Sequence, residues 1–306
     1  MSRIREWLAK GLLITDGAWG TELQRLGLPS GLIPDSWNIS HPERVAAVAE
    51  SYSEAGSEVI LTNTFRANAI AMSGSTPAEL DVINRVGVAI SKRSAPNSLI
   101  FASIGPTGKL LVSGDVSPEQ VAAAFTAQSE SLAAAGADAL LIETMSDIEE
   151  ARLAVLAAKR TGLQVIVSFV FDTGRGKDRT LTGATPESVA NAMVEEGADV
   201  IGANCGVGVE TAAGICRRLR SACSLPIWIK PNAGMPTLQG GEIHYSTSAE
   251  YFASHFIGLQ QAGAAFIGAC CGSNPDFIRA LISARTDASR PERYREDRAG
   301  EGVEKL

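Results

Sequence analysis

Eight short runs rich in β-branched residues or leucine alternate along the chain with alanine-rich segments of helical spacing, and that alternation predicts an α/β fold, a single-domain (β/α)8 TIM barrel with a parallel inner sheet. A repeated glycine device supports the same phase. Several helical segments close on Ala-Gly or Glu-Gly, at Ala55-Gly56, Ala135-Gly136, Glu196-Gly197 and Ala262-Gly263, where glycine supplies the left-handed cap that turns a helix into the next strand. Length is the third observation: 306 residues exceed an average domain but suit one barrel with a large core.

The strand candidates, in order, are Leu12–Asp16, Glu58–Thr62, Ser98–Ile104, Ala139–Glu143, Gln164–Val170, Asp199–Ala203, Pro226–Lys230 and Ala265–Ala269. Helical spacing covers Glu43–Ala55, Pro118–Ala135, Asp147–Thr161 and Pro186–Glu196, and a further helical stretch begins near Glu210. The barrel is expected to occupy residues 1–285. Residues 286–306 are dense in Arg, Glu and Asp with few large apolar side chains, the composition of a mobile or surface-lying tail.

Charge and composition narrow the partners. The formal net charge is -7 and no Lys/Arg-rich block occurs, which argues against nucleic acid or an anionic membrane surface and for a small-molecule substrate. Charges are scattered through Met1–Lys10, and no apolar run reaches the ~20 residues that span a bilayer, so a soluble, cytoplasmic protein is expected. Five cysteines, an odd number without a secretion signal, point to reduced thiols or metal and away from a disulfide framework.

Three of those cysteines stand at strand ends. Cys205, in Gly202-Ala203-Asn204-Cys205-Gly206, and the pair in Gly268-Ala269-Cys270-Cys271-Gly272 each follow a run ending in Ile-Gly-Ala. Adjacent thiols do not easily form an unstrained disulfide with each other, but both can turn toward a metal where a strand opens into a loop. Three soft sulfur ligands suit zinc and leave one tetrahedral position open, the mark of a catalytic site. A closed four-cysteine site would need Cys216 or Cys223, which fall in the helical stretch after Glu210 and read as small core or surface residues.

The other predicted strand ends carry Asp16-Gly17, Asn63-Thr64, Gly105-Pro106, Glu143-Thr144, Asn204 and Pro231-Asn232. In such barrels the carboxyl ends of the strands hold the chemistry. His41, His244 and His255 are isolated from these ends and read as surface or capping residues.

Taken in order, Thr15-Asp16-Gly17-Ala18-Trp19-Gly20-Thr21-Glu22, Thr62-Asn63-Thr64-Phe65, Ile104-Gly105-Pro106-Thr107-Gly108, Glu143-Thr144, Leu181-Thr182-Gly183, Asn204-Cys205, Pro231-Asn232-Ala233-Gly234 and Cys270-Cys271-Gly272 resemble the zinc-dependent homocysteine S-methyltransferase family from about Leu12 to Leu281. Asn63-Thr64-Phe65 and Pro231-Asn232-Ala233-Gly234 are most similar to the homocysteine-binding module of cobalamin-dependent methionine synthase, with the betaine-using branch next. The S-methylmethionine branch usually has Arg after its Cys pair, where this chain has Gly272.

The resemblance implies methionine formation. Cys205, Cys270 and Cys271 become the zinc ligands and the catalytic thiolates: a free thiol of pKa ~8.5 holds little thiolate at neutral pH, whereas one bound as fourth ligand loses its proton and stays nucleophilic. Glu143 resembles the carboxylate that receives the substrate ammonium; the alternative is a barrel-mouth ion pair. Asp16 with Gly17 resembles the first-strand motif, with Gly17 presenting an amide to the substrate carboxylate, and Asp16 either joins it or only braces the turn. Asn204 and Asn232 are included in the substrate site; like Asn63 and Thr64, they fit equally well as support for loops and ligands.

The methyl donor is left open between a corrinoid-bound methyl on a separate protein and a small methylated onium compound. An onium donor needs an aromatic cage, for which Trp19 and Trp37 are available near the mouth, but Arg66 stands where the betaine branch places Tyr and repels a cation if it faces the cleft. The chain shows one barrel with no folate or cobalamin domain, so a corrinoid would come on a partner. The alternatives are a thiol-dependent demethylase of a betaine-like or sulfonium compound and a non-catalytic zinc-binding subunit.

Overall fold

The computed structural model describes residues 3–206, 208–235, 237–239 and 242–288. Eight parallel strands form the inner sheet: β1 (Leu13–Ile14), β2 (Val59–Leu61), β3 (Leu99–Ile104), β4 (Ala139–Met145), β5 (Gln164–Phe169), β6 (Val200–Cys205), β7 (Ile227–Pro231) and β10 (Ala264–Ile267); β8 (Thr237–Gln239) and β9 (Glu242–His244) make a separate antiparallel ribbon between β7 and β10. The sheet order is β1-β10-β7-β6-β5-β4-β3-β2. Its two edges meet, because Glu58 N–H donates to Ile14 O at 2.8 Å and Asp16 N–H to Val59 O at 3.0 Å. The sheet therefore closes into the single-domain (β/α)8 barrel that the alternation predicts.

All eight inner strands fall within two residues of their predicted ends. Parallel strands are covered on both faces, so they read in sequence as continuous apolar runs. The helices are equally explicit: Pro77–Ser94, Pro118–Ala134 and Pro186–Glu195 start with proline behind a Thr or Ser whose hydroxyl accepts the third helical amide. Gly56, Gly136, Gly197 and Gly263 have φ of +98°, +86°, +79° and +97°, the left-handed caps expected of them.

Two departures concern the ends of the chain's elements. The β8–β9 ribbon went unread, since two three-residue strands carry too little alternation to register. The last helix, Pro275–Ala288, runs past the expected 285/286 boundary, and residues 289–306 of the expected tail lie outside the described residues. Among the described residues no helix is long and apolar enough to cross a membrane.

The barrel interior is layered. Leu13, Val59, Phe101, Leu141, Ile166, Val200, Trp228 and Phe266 pack as one cluster, and Ile4 of the helix Arg3–Trp7 plugs its base. Its aromatic centre is tight: ring centroids lie 6.0 Å apart for Phe101 and Trp228 and 5.4 Å for Trp228 and Phe266. Side chains two residues apart on a strand point the same way. Two steps beyond Phe101, Leu141, Ile166 and Trp228 come Ser103, Glu143, Ser168 and Lys230, so a polar layer sits directly on an aromatic floor. Trp228→Ala is expected to cost about 3–5 kcal/mol in denaturant unfolding, from lost burial plus an unfilled cavity; a loss below about 1 kcal/mol would show that the floor is not packed in this way.

Candidate active site

β6 and β10 flank β7 in the sheet, which is why cysteines 65 residues apart meet. Cys205 ends β6, and Cys270 and Cys271 follow β10; Cys270 N–H donates to Pro231 O at 2.8 Å and Ala233 N–H to Cys271 O at 3.0 Å, locking both ends to the end of β7. Sγ of Cys205 lies 2.9 Å from that of Cys270 and 4.0 Å from that of Cys271. All three sulfurs lie within 4.8 Å of one another, a group able to hold a metal ion.

Backbone strain is concentrated here. Cys205 has φ +56° and Thr144, across the barrel mouth, φ +62°, a conformation that non-glycine residues adopt only when their surroundings enforce it. Asn204 is the enforcer. Its Oδ1 accepts from Thr144 N–H at 2.9 Å and from the Ser168 hydroxyl at 2.6 Å. Its Nδ2 donates to Thr144 Oγ1 at 2.7 Å and faces the sulfurs of Cys205 at 3.6 Å and Cys270 at 4.0 Å.

Three thiols this close do not ionise alike. Donation to Cys270 and Cys271, then burial, holds Cys205 well above the ordinary thiol range. Cys271, which accepts hydrogen bonds from Cys205 and Cys270, is drawn down to about 3. Cys270 stands at about 12: the hydrogen bond with Cys205 favours its thiolate, but donation to Cys271, burial and the Cys271 charge outweigh it. A cation at the centre would favour ionisation of all three.

The sulfurs open on a cavity of about 380 Å³ whose walls include Gly17, Trp19, Phe65, Arg66, Glu143 and Lys230. Two wider clefts, of about 760 and 710 Å³, lie between helices on the flank and contain no thiol. Glu143 is 7 % exposed and accepts from the Ser103 hydroxyl at 2.5 Å. Burial pushes its carboxyl up to about 7, with the nearby Lys230 charge acting the other way.

Asp16 is wholly buried and both of its oxygens are hydrogen-bonded. It pairs with Lys230, and its Oδ2 accepts from Trp19 Nε1 at 2.7 Å and Leu61 N–H at 2.8 Å. Gly17 has no room for a side chain: a Cβ would stand 2.6 Å from the Tyr52 hydroxyl and 2.7 Å from Ser273 Oγ. The next residue is clamped from both sides, because Tyr52 donates to Ala18 O at 2.8 Å and Ala18 N–H to Ser273 Oγ at 3.0 Å. Ser273 also donates to Cys270 O at 2.8 Å, so the Gly17 turn and the cysteine pair are one rigid piece.

Asn232 donates from Nδ2 to Gly206 O at 2.8 Å, while its buried Oδ1 has no partner among the described residues. Asn63 and Thr64 serve the backbone instead, through Pro34 O at 2.8 Å and Ser103 O at 2.7 Å. Arg66 is exposed on the cavity wall and its amide is held by Asp35 Oδ1 at 2.7 Å. Trp37, by contrast, is not at the mouth. It begins the helix Trp37–Ser40, is 2 % exposed, and packs in the core between His41 and Arg44. Cys216 is buried in the helix Val209–Ala222 against Ala262 O, and Cys223 caps that helix's end, so neither joins the sulfur group.

The residue that sequence reasoning missed is Lys230. It is 2 % exposed, lines the cavity, and keeps its charge: burial opposes the charge, but Asp16, Glu143 and Cys270 outweigh it and leave its pKa raised. The signal was present, since Lys230 ends an apolar strand run in the same way as Glu143 does.

The sequence profile of one family, homocysteine S-methyltransferase, matches residues 13–285. The chain is 28 % identical to the methionine synthase of Mycobacterium tuberculosis and 29 % identical to that of Mycobacterium leprae, over 94 % and 91 % of its own length. It spans only about a quarter of those relatives, 26 % and 25 % of their chains. In structure it resembles the metallated form of the homocysteine methyltransferase MmuM from Escherichia coli, with a TM-score of 0.77 at 24 % identity over 92 % of this chain and 99 % of that one, a likeness of fold. Because the profile match runs from β1 into the last helix, the chain belongs to the homocysteine S-methyltransferase family.

Proposed function

We propose that the protein methylates the thiol of homocysteine to give methionine, with Cys205, Cys270 and Cys271 holding one zinc ion. The observation that carries this reading is the convergence of three sulfurs, within 4.8 Å, at the floor of a cavity with a buried acid on its wall. The donor set fits zinc: three soft ligands, no fourth protein thiol among the described residues, and space at the cavity side for an outside sulfur. When bound, zinc supplies Lewis acidity that lowers the pKa of a thiol offered to its open position.

The remaining chemistry belongs to the chain. Asn204 donates toward the sulfurs of Cys205 and Cys270 and holds them in place. Glu143 receives the substrate ammonium, the Gly17 N–H, which finds no acceptor among the described residues, receives a carboxylate oxygen, and Asp16 acts by fixing that turn and Lys230. Asn232, with its free Oδ1, supports the same pocket. In the reaction the substrate S–H proton passes to solvent, a sulfur–methyl bond forms in line, and the methyl–donor bond breaks with its electron pair leaving on the donor.

For the donor, the mouth favours a corrinoid-bound methyl group over a small onium compound. Trp37 is withdrawn into the core, which leaves Trp19 and Phe65 as the aromatic rings on the wall, and Arg66 puts a cation beside them that opposes a quaternary ammonium. A cytoplasmic setting agrees with free thiols that must stay reduced.

Zinc-edge X-ray absorption tests the centre. Three sulfur neighbours and a lighter atom should become four sulfurs on adding L-homocysteine; an unchanged three-sulfur site would remove homocysteine as acceptor. Cys271→Ser should lose zinc and turnover while circular dichroism shows the barrel intact, and retained turnover would sink the metal role. Glu143→Ala should weaken homocysteine binding by roughly 10- to 100-fold, the worth of a hydrogen bond to a charged group. Because Glu143 titrates at about 7 and only its ionised form attracts an ammonium, kcat/KM should rise with pH through that value. Glu143→Gln should flatten the inflection, and its persistence would assign it elsewhere.

A further inference from the structure

Lys230 is a charge at the bottom of an acceptor pocket, and it needs a reason. It lies on the inner face of β7, with Nζ 5.8 Å from the centre of the Trp228 ring beneath it, and its single hydrogen bond among the described residues goes to Asp16 Oδ1. A buried ion pair does not by itself stabilise a fold more than apolar side chains of the same volume. An ammonium has three N–H donors, and one is used. Space is tight on the strand side, where a Cβ on Gly268 would come within 3.2 Å of the Lys230 stem, and the open side is the cavity.

The pocket's charges are arranged in opposition. Asp16 already has a cation as partner: Lys230 donates to its Oδ1, while Trp19 and Leu61 donate to its Oδ2. Glu143 is bonded to the neutral Ser103 hydroxyl and has no cation within salt-bridge distance among the described residues. The cavity therefore offers one anchored cation, one acid without an ion-pair partner and one cluster of thiols, which matches a molecule carrying a carboxylate, an ammonium and a thiol.

We infer that Lys230 is the specificity-determining residue for the acceptor's carboxylate: its ammonium, held in place by Asp16, pairs with that group beside the Gly17 amide, so the protein selects thiols that are also carboxylic acids. This rests on the homocysteine reading above and assigns Lys230 a role beyond it. The ammonium is read separately, by Glu143.

Calorimetric binding to the zinc-loaded full chain tests it without a methyl donor. L-homocysteine, its carboxamide and the desamino analogue 4-mercaptobutanoate are titrated into wild type, Lys230→Met and Lys230→Arg. Wild type should bind the carboxamide roughly 10- to 100-fold more weakly than homocysteine, and Lys230→Met should lower homocysteine affinity by a similar factor while changing carboxamide affinity by less than about 3-fold. Lys230→Arg should restore part of the preference for the acid, and Lys230→Met should leave the relative loss on removing the amino group unchanged.

If Lys230→Met weakens homocysteine and the carboxamide equally, Lys230 is only structural and the inference falls while the homocysteine reading stands. Indifference of the wild type to the carboxamide would have the same meaning. If wild type binds none of the three thiols, the homocysteine reading itself fails. Should Lys230→Met not fold with Asp16 left unpaired, the double variant Asp16→Asn with Lys230→Met removes both charges, and the same carboxylate-to-carboxamide ratio decides the matter.

Discussion

Two main-chain hydrogen bonds at the seam between β1 and β2 govern the rest of this molecule. With Glu58 N–H bonded to Ile14 O and Asp16 N–H to Val59 O, the sheet has no edge, and every inner strand must send alternate side chains into a closed interior. That interior cannot stay apolar to the top. Above the layer of Phe101, Leu141, Ile166 and Trp228, the next inward positions on the same strands are Ser103, Glu143, Ser168 and Lys230. The same seam carries Asp16, so the closing bond of the barrel and the partner of Lys230 belong to one residue.

The sulfur group is held by similar economy. Cys205 and Thr144 both sit at positive φ, which costs of order 1–3 kcal/mol each, and one amide side chain, Asn204, bonds to Thr144 through both of its polar atoms. Ser273 does the corresponding work on the other side, joining Cys270 O to the Ala18 amide. The strand ends that carry the thiols are thus fixed by hydrogen bonds from the neutral side chains of Asn204 and Ser273.

The fold was legible because parallel barrel strands, buried on both faces, announce themselves as apolar runs between capped helices. The cysteines were legible because an adjacent pair has few other uses, and Glu143 because a carboxylate closing the run Ala139–Ile142 is conspicuous. Lys230 closes its run in the same fashion but was passed over, since lysine at a strand boundary is usually a surface residue. Trp37 failed in the opposite direction. It lies in a loop-rich stretch between β1 and β2, where no periodicity tells which side of the chain faces the core, and packing against Arg44 and His41 decides the matter.

Charge balance explains why the pocket tolerates so many ionisable groups. Buried acids are costly to ionise alone, and Glu143 shows this by rising to about 7. Lys230 makes Asp16 affordable by direct pairing and draws on Glu143 and Cys270 from farther away, so its own charge survives full burial. Removing any one of these groups would shift the others, which makes the layer a coupled set. The aromatic floor enforces that coupling: with the buried Trp228 ring directly below, the charges face one another and the cavity.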